Sequence, residues 1–366
     1  MDLTSEQRDL RDAVRGLLAR HATAARDPGD DPLLWQRLCG EIGVAGLAIP
    51  ERYGGTGAGP VETHIVMEAL GWGLTPSPML GSAVLAAHAL LASGDGAVCQ
   101  RLLPAIAGGT AIAALAWTDE SGGWDPGKAA FGAIPPGSPA ERWTLTGEAH
   151  YVLDGDVADV LLAVGRTPGG VALFEVDPHQ PGVTRRAVTT MDLTRRLAVV
   201  RLDAVPGLPV GGTTAGALCL ARARDLACIA LSAEQVGAAQ RALELTVAYT
   251  KIRVQFGRPI GSFQALQHRM ADLHVLAESA RSVSYAAASA AAGNPTDLAL
   301  RAAAAKVYCS EALTRVAAQM IQLHGAIGIT WEHDAHRYFK RAHGAGQLFG
   351  PPAGHIARIA AAVIDD

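Results

Sequence analysis

The chain has 366 residues, 49% of them hydrophobic and 18% charged, which is enough apolar surface for a sizeable core and excludes a wholly disordered polymer. Its formal net charge is −4, and Lys and Arg are dispersed without a basic block, which argues against a nucleic-acid or anionic-membrane partner. Five cysteines (Cys39, Cys99, Cys219, Cys228, Cys309) form no CxxC pair and no metal-like spacing; they read as reduced structural thiols in a cytoplasmic protein, and no metal site is expected.

The first eight residues are polar and lack the basic-then-apolar layout of a signal peptide. Apolar runs such as residues 83–91 are broken by His88 and are too short to span a bilayer, so no membrane association is expected. Residues 3–109 carry a helical pattern. Leu10, Val14, Leu17 and Leu18 recur at three- and four-residue steps, after a Thr4 placed to cap with Gln7. A second helix is predicted over residues 33–42, with Leu34, Leu38 and Ile42 on one face. Residues 49–57 then read as a loop by their Pro and Gly content. Its glycines resemble a phosphate cradle, but no strand precedes them and the GxGxxG spacing is absent, which favours a plain turn between helices.

From residue 110 to 212 the period changes. Residues 112–117, 160–164, 171–176 and 197–202 are short β-type runs separated by Gly, Pro and Asp clusters, and residues 135–139 read as a surface loop. No helices of 10–15 residues separate these strands, so a small, mainly antiparallel β domain is predicted. From residue 213 to the end the pattern is helical again. Ile229, Ala233, Val236, Leu243 and Val247 mark one long face, residues 282–293 a second helix, and residues 297–323 a third, after a loop at Gly293-Asn294-Pro295. The fold class is α+β, with domains at 1–109, 110–212 and 213–366. No repeat of fixed period occurs.

The densest chemical cluster is Arg253-Val254-Gln255-Phe256-Gly257-Arg258-Pro259-Ile260-Gly261-Ser262-Phe263-Gln264. A helix is predicted to end at Arg253, a Gly/Pro loop to follow, and a new helix to begin with Ser262 as N-cap. An arginine at such a turn, beside an aromatic ring and two glutamines, suits a phosphate and a flat ring; a helix–turn–helix with a solvated arginine is the plainer alternative.

Arg253-x-Gln255-Phe256-Gly257-x-Pro259-Ile260-x-x-Phe263-Gln264 resembles the motif of the flavin-dependent acyl-CoA dehydrogenases. Gln322-Leu323-His324-Gly325-Ala326-Ile327-Gly328-Ile329-Thr330 resembles a second motif of that family. Residues 46–57 and Trp117-Thr118-Asp119-Glu120-x-Gly122 match further stretches in the family's order, so the resemblance covers essentially the whole chain. It implies an N-terminal helical domain, a middle β domain and a C-terminal four-helix bundle. It also implies an FAD whose diphosphate and adenine side is contacted by Arg253 and Phe256 of a neighbouring subunit, with Gln255 and Gln264 in the same network. Gln322, Gly325, Ala326 and Gly328 would line the far side of the adenosine, with Gly-Ala standing where the family usually has Gly-Gly. Trp117 and Thr118 would hold the flavin ring, and Tyr151 and Leu153 would wall it, although Leu153 brings no hydroxyl.

The reaction the resemblance implies is α,β-dehydrogenation of an acyl-CoA thioester: a carboxylate takes the α proton while the β hydride passes to the flavin. Most members carry this Glu near the C-terminus. The matching stretch here is Leu348-Phe349-Gly350-Pro351-Pro352-Ala353-Gly354-His355, and the alternative position on the long helix falls at Ala227; neither is acidic. Glu234 and His355 are the remaining candidates, with Asp225 behind them, each set against an ordinary structural role. The resemblance therefore implies either a homo-oligomer or a heterotetramer in which a related chain supplies the carboxylate. An electron-accepting flavoprotein would be a further partner, in fatty-acid or steroid side-chain metabolism. A self-sufficient dehydrogenase, a flavin-dependent oxygenase relative and a non-catalytic partner subunit are the alternatives.

Overall fold

The computed structural model describes residues 3–21, 31–138, 142–214, 216–293 and 296–364. Asn294 and Pro295 of the expected inter-helix loop, and Pro139 of the expected surface loop, lie outside them. Helix α1 (Ser5–His21) opens with the predicted reciprocal cap: the Gln7 N–H donates to Thr4 Oγ1 at 3.2 Å and the Thr4 N–H to Gln7 Oε1 at 3.1 Å. Asp31 caps α2 (Pro32–Arg37) by accepting from the Leu33 and Leu34 N–H groups. The predicted helix over 33–42 is real but not uniform. Its second half, Leu38–Ile42, widens into a π-turn that Gly43 ends. Helices α3 (Pro60–Trp72), α4 (Ala87–Ser93) and α5 (Gly96–Ala107) complete this region, with a π-helical segment, Met79–Ala86, running into α4.

Seven strands follow: β1 (Ala113–Ala116), β2 (Phe131–Ile134), β3 (Trp143–Leu153), β4 (Val160–Thr167), β5 (Gly170–Val176), β6 (Val183–Ala187) and β7 (Leu197–Val210). Because β5 pairs with both β4 and β7, the run β4-β2-β3-β7-β5 closes on itself into a small barrel. Phe131, Leu145, Leu161, Phe174, Val200 and Leu202 belong to its buried cluster. Most neighbours are antiparallel, as predicted. β1 and β2 depart from that: both lie parallel to β4, which joins strands distant in the chain.

The rest is helical. α6 (Gly216–Ile252), at 37 residues, is about 55 Å long at 1.5 Å per residue. A two-stranded hairpin, β8 (Val254–Gln255) with β9 (Arg258–Pro259), follows it. Then come α7 (Gln264–Ala292), α8 (Leu298–His324), α9 (Ala335–Gln347) and α10 (Pro352–Ile364). Ser262 is not the cap of α7. Its hydroxyl donates back to the Pro259 carbonyl, and Phe263 holds the N-cap position.

Residues 225–239 of α6 are all buried, which a helix surrounded by others on every side requires. Its approach to α3 leaves no room for side chains at two points. A Cβ on Gly71 would stand 2.0 Å from the Glu234 carbonyl oxygen, and one on Gly237 1.9 Å from the Glu68 carbonyl oxygen. The two glycines let the helix backbones touch. On the other side of the bundle Lys306 of α8 is fully buried, its Nζ donating to the Ala345 and Gly346 carbonyls and to Ser310 Oγ. It thereby caps the last turn of α9, and burial pulls its pKa down to about 8.

Candidate active site

The end of β1 runs into a loop that the fold presses against the C-terminal helices. Trp117 is buried, and its indole N–H donates to the Asp125 carbonyl at 3.3 Å. The Thr118 hydroxyl donates to the His150 carbonyl at 2.6 Å, tying β1 to β3. Tyr151 sits at a left-handed φ of 55° with its ring 42% exposed, and its hydroxyl reaches the Glu120 carbonyl. Leu153 is buried and packs against the backbone at Gly81. The four residues expected to hold and wall a flavin ring therefore come together at one corner of the barrel, with only Tyr151 offering an open face.

The stretch expected to carry the base meets the same corner. Phe349 is buried with φ 59°, and its ring stands edge-on to Trp124 at 4.9 Å. Trp124 in turn stands edge-on to Trp117 at 5.5 Å. Gly350 occupies the turn beside them and brings no side chain. His355, on the first turn of α10, is 2% exposed and spans the Phe349 carbonyl at 2.9 Å and Arg358 at 3.2 Å. Burial pushes its pKa down to about 4, so the ring is neutral near pH 7 and both nitrogens have partners. Asp225 is buried, with Arg358 at 2.8 Å and Arg224 at 3.4 Å.

Glu234 lies deeper, on the face it shares with Ala230 and Ala238, both buried. That face points at the β6–β7 connection and α9: Arg341 is 2.8 Å away and Arg195 also binds the same carboxylate oxygen. Arg341 further meets Asp192 at 3.0 Å and donates to the Thr194 carbonyl at 2.8 Å. Burial alone would raise the Glu234 pKa; Arg195 and Arg341 outweigh it and hold the carboxyl below the ordinary range. Asp192 is lowered in the same way, its burial outweighed by Arg341 and Arg195. The void bounded by Gly81, Leu153, Thr194, Glu234 and Arg341 measures about 20 Å³, room for one water.

The remaining expected cofactor contacts lie elsewhere on the same chain. Phe256 and Gly257 form the two-residue tip of the β8–β9 hairpin, both at positive φ (52° and 78°), the conformation that matches the twist of the strands. An aromatic residue pays conformational strain there, and the turn holds the Phe256 ring 89% exposed. Arg253 and Gln255 are exposed beside it, and the Arg253 guanidinium has no partner among the described residues. Gln264 is exposed at the first residue of α7. Gln322, Gly325 and Ala326 are exposed at the end of α8, and this segment joins the hairpin region through Tyr249. The Tyr249 ring stacks on His324 at 4.4 Å, and its hydroxyl donates to the His324 carbonyl at 3.3 Å. The His324 Nε2 is buried and without a hydrogen-bond partner among the described residues. The whole group sits roughly 40 Å along α6 from Arg224, whose guanidinium binds the Trp124 carbonyl at the other corner.

Sequence reasoning passed over Trp124, Arg195, Arg341, Tyr249 and Lys306. Each is a single residue whose partner is far away in the chain; a lone tryptophan in a loop of glycines was the one visible signal. Among the described residues no cluster of His, Cys, Asp or Glu is arranged to hold a metal ion, and no helix is long and apolar enough to cross a membrane.

Helices, a closed barrel and a second set of helices define a class of flavoprotein dehydrogenases. Family models described as acyl-CoA dehydrogenase N-terminal domain and C-terminal domain match residues 4–110 and 220–364. The acyl-CoA dehydrogenase IpdE2 of Mycolicibacterium smegmatis is 40% identical over 368 residues, covering 98% of this chain and 99% of that protein. Among solved structures, the ChsE4–ChsE5 complex of Mycobacterium tuberculosis superposes with a TM-score of 0.89 at 29% identity, over 100% of both chains. The steroid ACAD Tcur3481–Tcur3483 does so with a TM-score of 0.88 at 31% identity, over 98% of both. The chain belongs to the acyl-CoA dehydrogenase family, whose cofactor is a flavin and whose reaction is dehydrogenation of an acyl-CoA thioester.

Proposed function

We propose that the chain acts as one subunit of a heteromeric, FAD-dependent acyl-CoA dehydrogenase. It would lend flavin contacts to a partner of the same family that carries the catalytic carboxylate. One observation carries this reading: the three side chains of this chain weighed as bases are already committed. Glu234 is held by two guanidiniums, Asp225 by Arg358 and Arg224, and His355 by a carbonyl and Arg358, while Gly350 and Ala227 have nothing to offer. A general base has to be within hydrogen-bond reach of the proton it takes and free to take it.

The residues present fit a flavin dinucleotide, provided that it is shared. When bound, the flavin supplies the acceptor for the β hydride. The exposed Tyr151 face offers a flat wall for a ring. The unpartnered Arg253 guanidinium suits a diphosphate, with the projecting Phe256 beside it. Arg253 follows the end of α6, roughly 40 Å along the helix from Arg224, which binds the Trp124 carbonyl at the barrel corner; a dinucleotide held by Arg253 and Phe256 therefore rests on another chain's wall. The contact with Gln255, Gln264, Gln322, Gly325 and Ala326 belongs to the same reading, as does the division of the chain at residues 109 and 212. Two-chain relatives, one of them described as a steroid ACAD, support the heteromer and a fatty or steroid acyl chain as the substrate. A cytoplasmic location and an electron-accepting flavoprotein as the next carrier follow from the same assignment.

Anaerobic mixing with a panel of acyl-CoAs, following flavin absorbance, tests the proposal. The chain alone should leave its flavin oxidised, and adding a family member with the C-terminal glutamate should restore reduction. Rapid, complete reduction by the lone chain refutes it.

A further inference from the structure

We infer that Trp124 seals this chain's own thioester crevice, so that an acyl-CoA does not enter between the end of β1 and the Phe349–Gly350 turn while the indole is seated there. This rests on the assignment of that corner as the crevice and adds to it the residue that closes it. The indole is 7% exposed and touches both sides of the corner: Trp117 on the barrel at 5.5 Å with an interplanar angle of 81°, and Phe349 at 4.9 Å with 77°. Those are edge-to-face contacts of the kind that stabilise buried aromatic rings. A substrate would have to break both.

The loop that presents Trp124 is built to hold it. Ser121 N–H turns back on Asp119 Oδ1 at 3.0 Å, and Gly127 N–H on Asp125 Oδ1 at 2.8 Å, so both ends are closed by side-chain turns. The Trp117 indole N–H fastens the Asp125 carbonyl. The tryptophan's own backbone is then joined to the opposite wall by an unbroken polar circuit. Arg224 donates to the Trp124 carbonyl at 3.1 Å and pairs with Asp225; Asp225 pairs with Arg358; Arg358 meets His355; and His355 meets the Phe349 carbonyl. Asp225 and His355, the candidate bases in this corner, instead clamp the two walls around the indole. A loop merely resting in an open cleft would need neither the clamp nor the aromatic sandwich.

The test is calorimetric titration of the full-length wild-type chain and of Trp124→Gly with butyryl-CoA, whose four-carbon acyl group is of the size that the indole vacates. Wild type should show no saturable binding, and the variant should bind at one equivalent per chain. Equal affinities for the two proteins overturn the seal, because the indole would then move aside freely. So does a Trp124→Gly protein that melts like wild type and binds nothing. Acrylamide quenching of wild type against Trp124→Phe gives a second measurement that survives misfolding of the glycine variant. The Trp124 share of the emission should be shielded and stay shielded when butyryl-CoA is added; a ligand-induced rise in its quenching overturns the inference. Wild-type binding without flavin reduction refutes the seal alone and leaves the heteromeric function standing. Flavin reduction by the lone chain refutes both.

Discussion

Replacing Glu234 with Gln removes the carboxylate that both Arg195 and Arg341 contact, without changing the shape of the side chain. All three groups are buried: the side chains of Arg195, Arg341 and Glu234 are 8%, 4% and 6% exposed. Taking one partner from a buried ion pair costs about 3–5 kcal/mol, since the remaining charges keep their desolvation penalty. With about 2.1 cal/mol/K per residue for the unfolding entropy, a chain of this length should lose about 4–6 °C in Tm. The pH dependence has a definite sign. The folded Glu234 carboxyl lies below its ordinary value of 4.5, so its contribution is fully present above that pH and is lost as pH falls through the folded value. Scanning calorimetry at neutral pH should show the full gap between wild type and Glu234→Gln, and a series of scans below about pH 4.5 should show it closing. A variant that melts within about 1 °C of wild type at neutral pH would mean that the cluster contributes nothing net. If the lone chain reduced its flavin with an acyl-CoA and Glu234→Gln abolished that reduction at unchanged Tm, Glu234 would be the base and the structural role assigned to it would be wrong.

Three other substitutions probe separate parts of the molecule. Arg253→Ala should weaken flavin retention and assembly together, because charge-assisted contacts of about 1.5–3 kcal/mol are removed from an inter-subunit site; gel filtration with absorbance at the flavin band reads both, and full occupancy in the native oligomer would contradict the assignment. Gly237→Ala should destabilise the fold by about 3 kcal/mol or more, since the new methyl has only a backbone carbonyl to displace; a denaturant midpoint equal to wild type would show that α3 yields. Lys306→Met should lower stability at pH 7 by leaving the Ala345 and Gly346 carbonyls unpaired, at about 1–3 kcal/mol for each group. It should also abolish a rise in wild-type stability between about pH 8 and 10.5, where the unfolded lysine binds more protons than the folded one. Equal slopes for the two proteins in that window would refute the lowered pKa.

What the amino-acid order revealed was whatever is local. The Thr4–Gln7 cap, the long face of α6 and the β-type runs at 160–164 and 171–176 are written in residues a few positions apart, and they fold as read. β6 was illegible because it is an edge strand, Val-Thr-Arg-Arg-Ala, with no buried residue to impose alternation. β3 was missed for a different reason: its eleven residues carry Gly147 and two register shifts against β7, so no clean period of two survives. The ionic cluster is a harder case. Spacing placed Glu234 on a face with Ala230 and Ala238, but the direction of that face is decided by Arg195 and Arg341, which arrive from the barrel and from α9. Burial of a charge depends on where distant segments land, and one sequence does not encode that in any short window.

The crossing of α3 and α6 at Gly71 and Gly237 also governs how the molecule can move. With backbone against backbone at that point, the N-terminal helices and the long central helix have no layer of side chains between them to slide on or to compress. The two helical regions therefore meet at a joint that cannot be compressed further. The exposed hairpin at the far end of α6 can change its contacts without disturbing that joint.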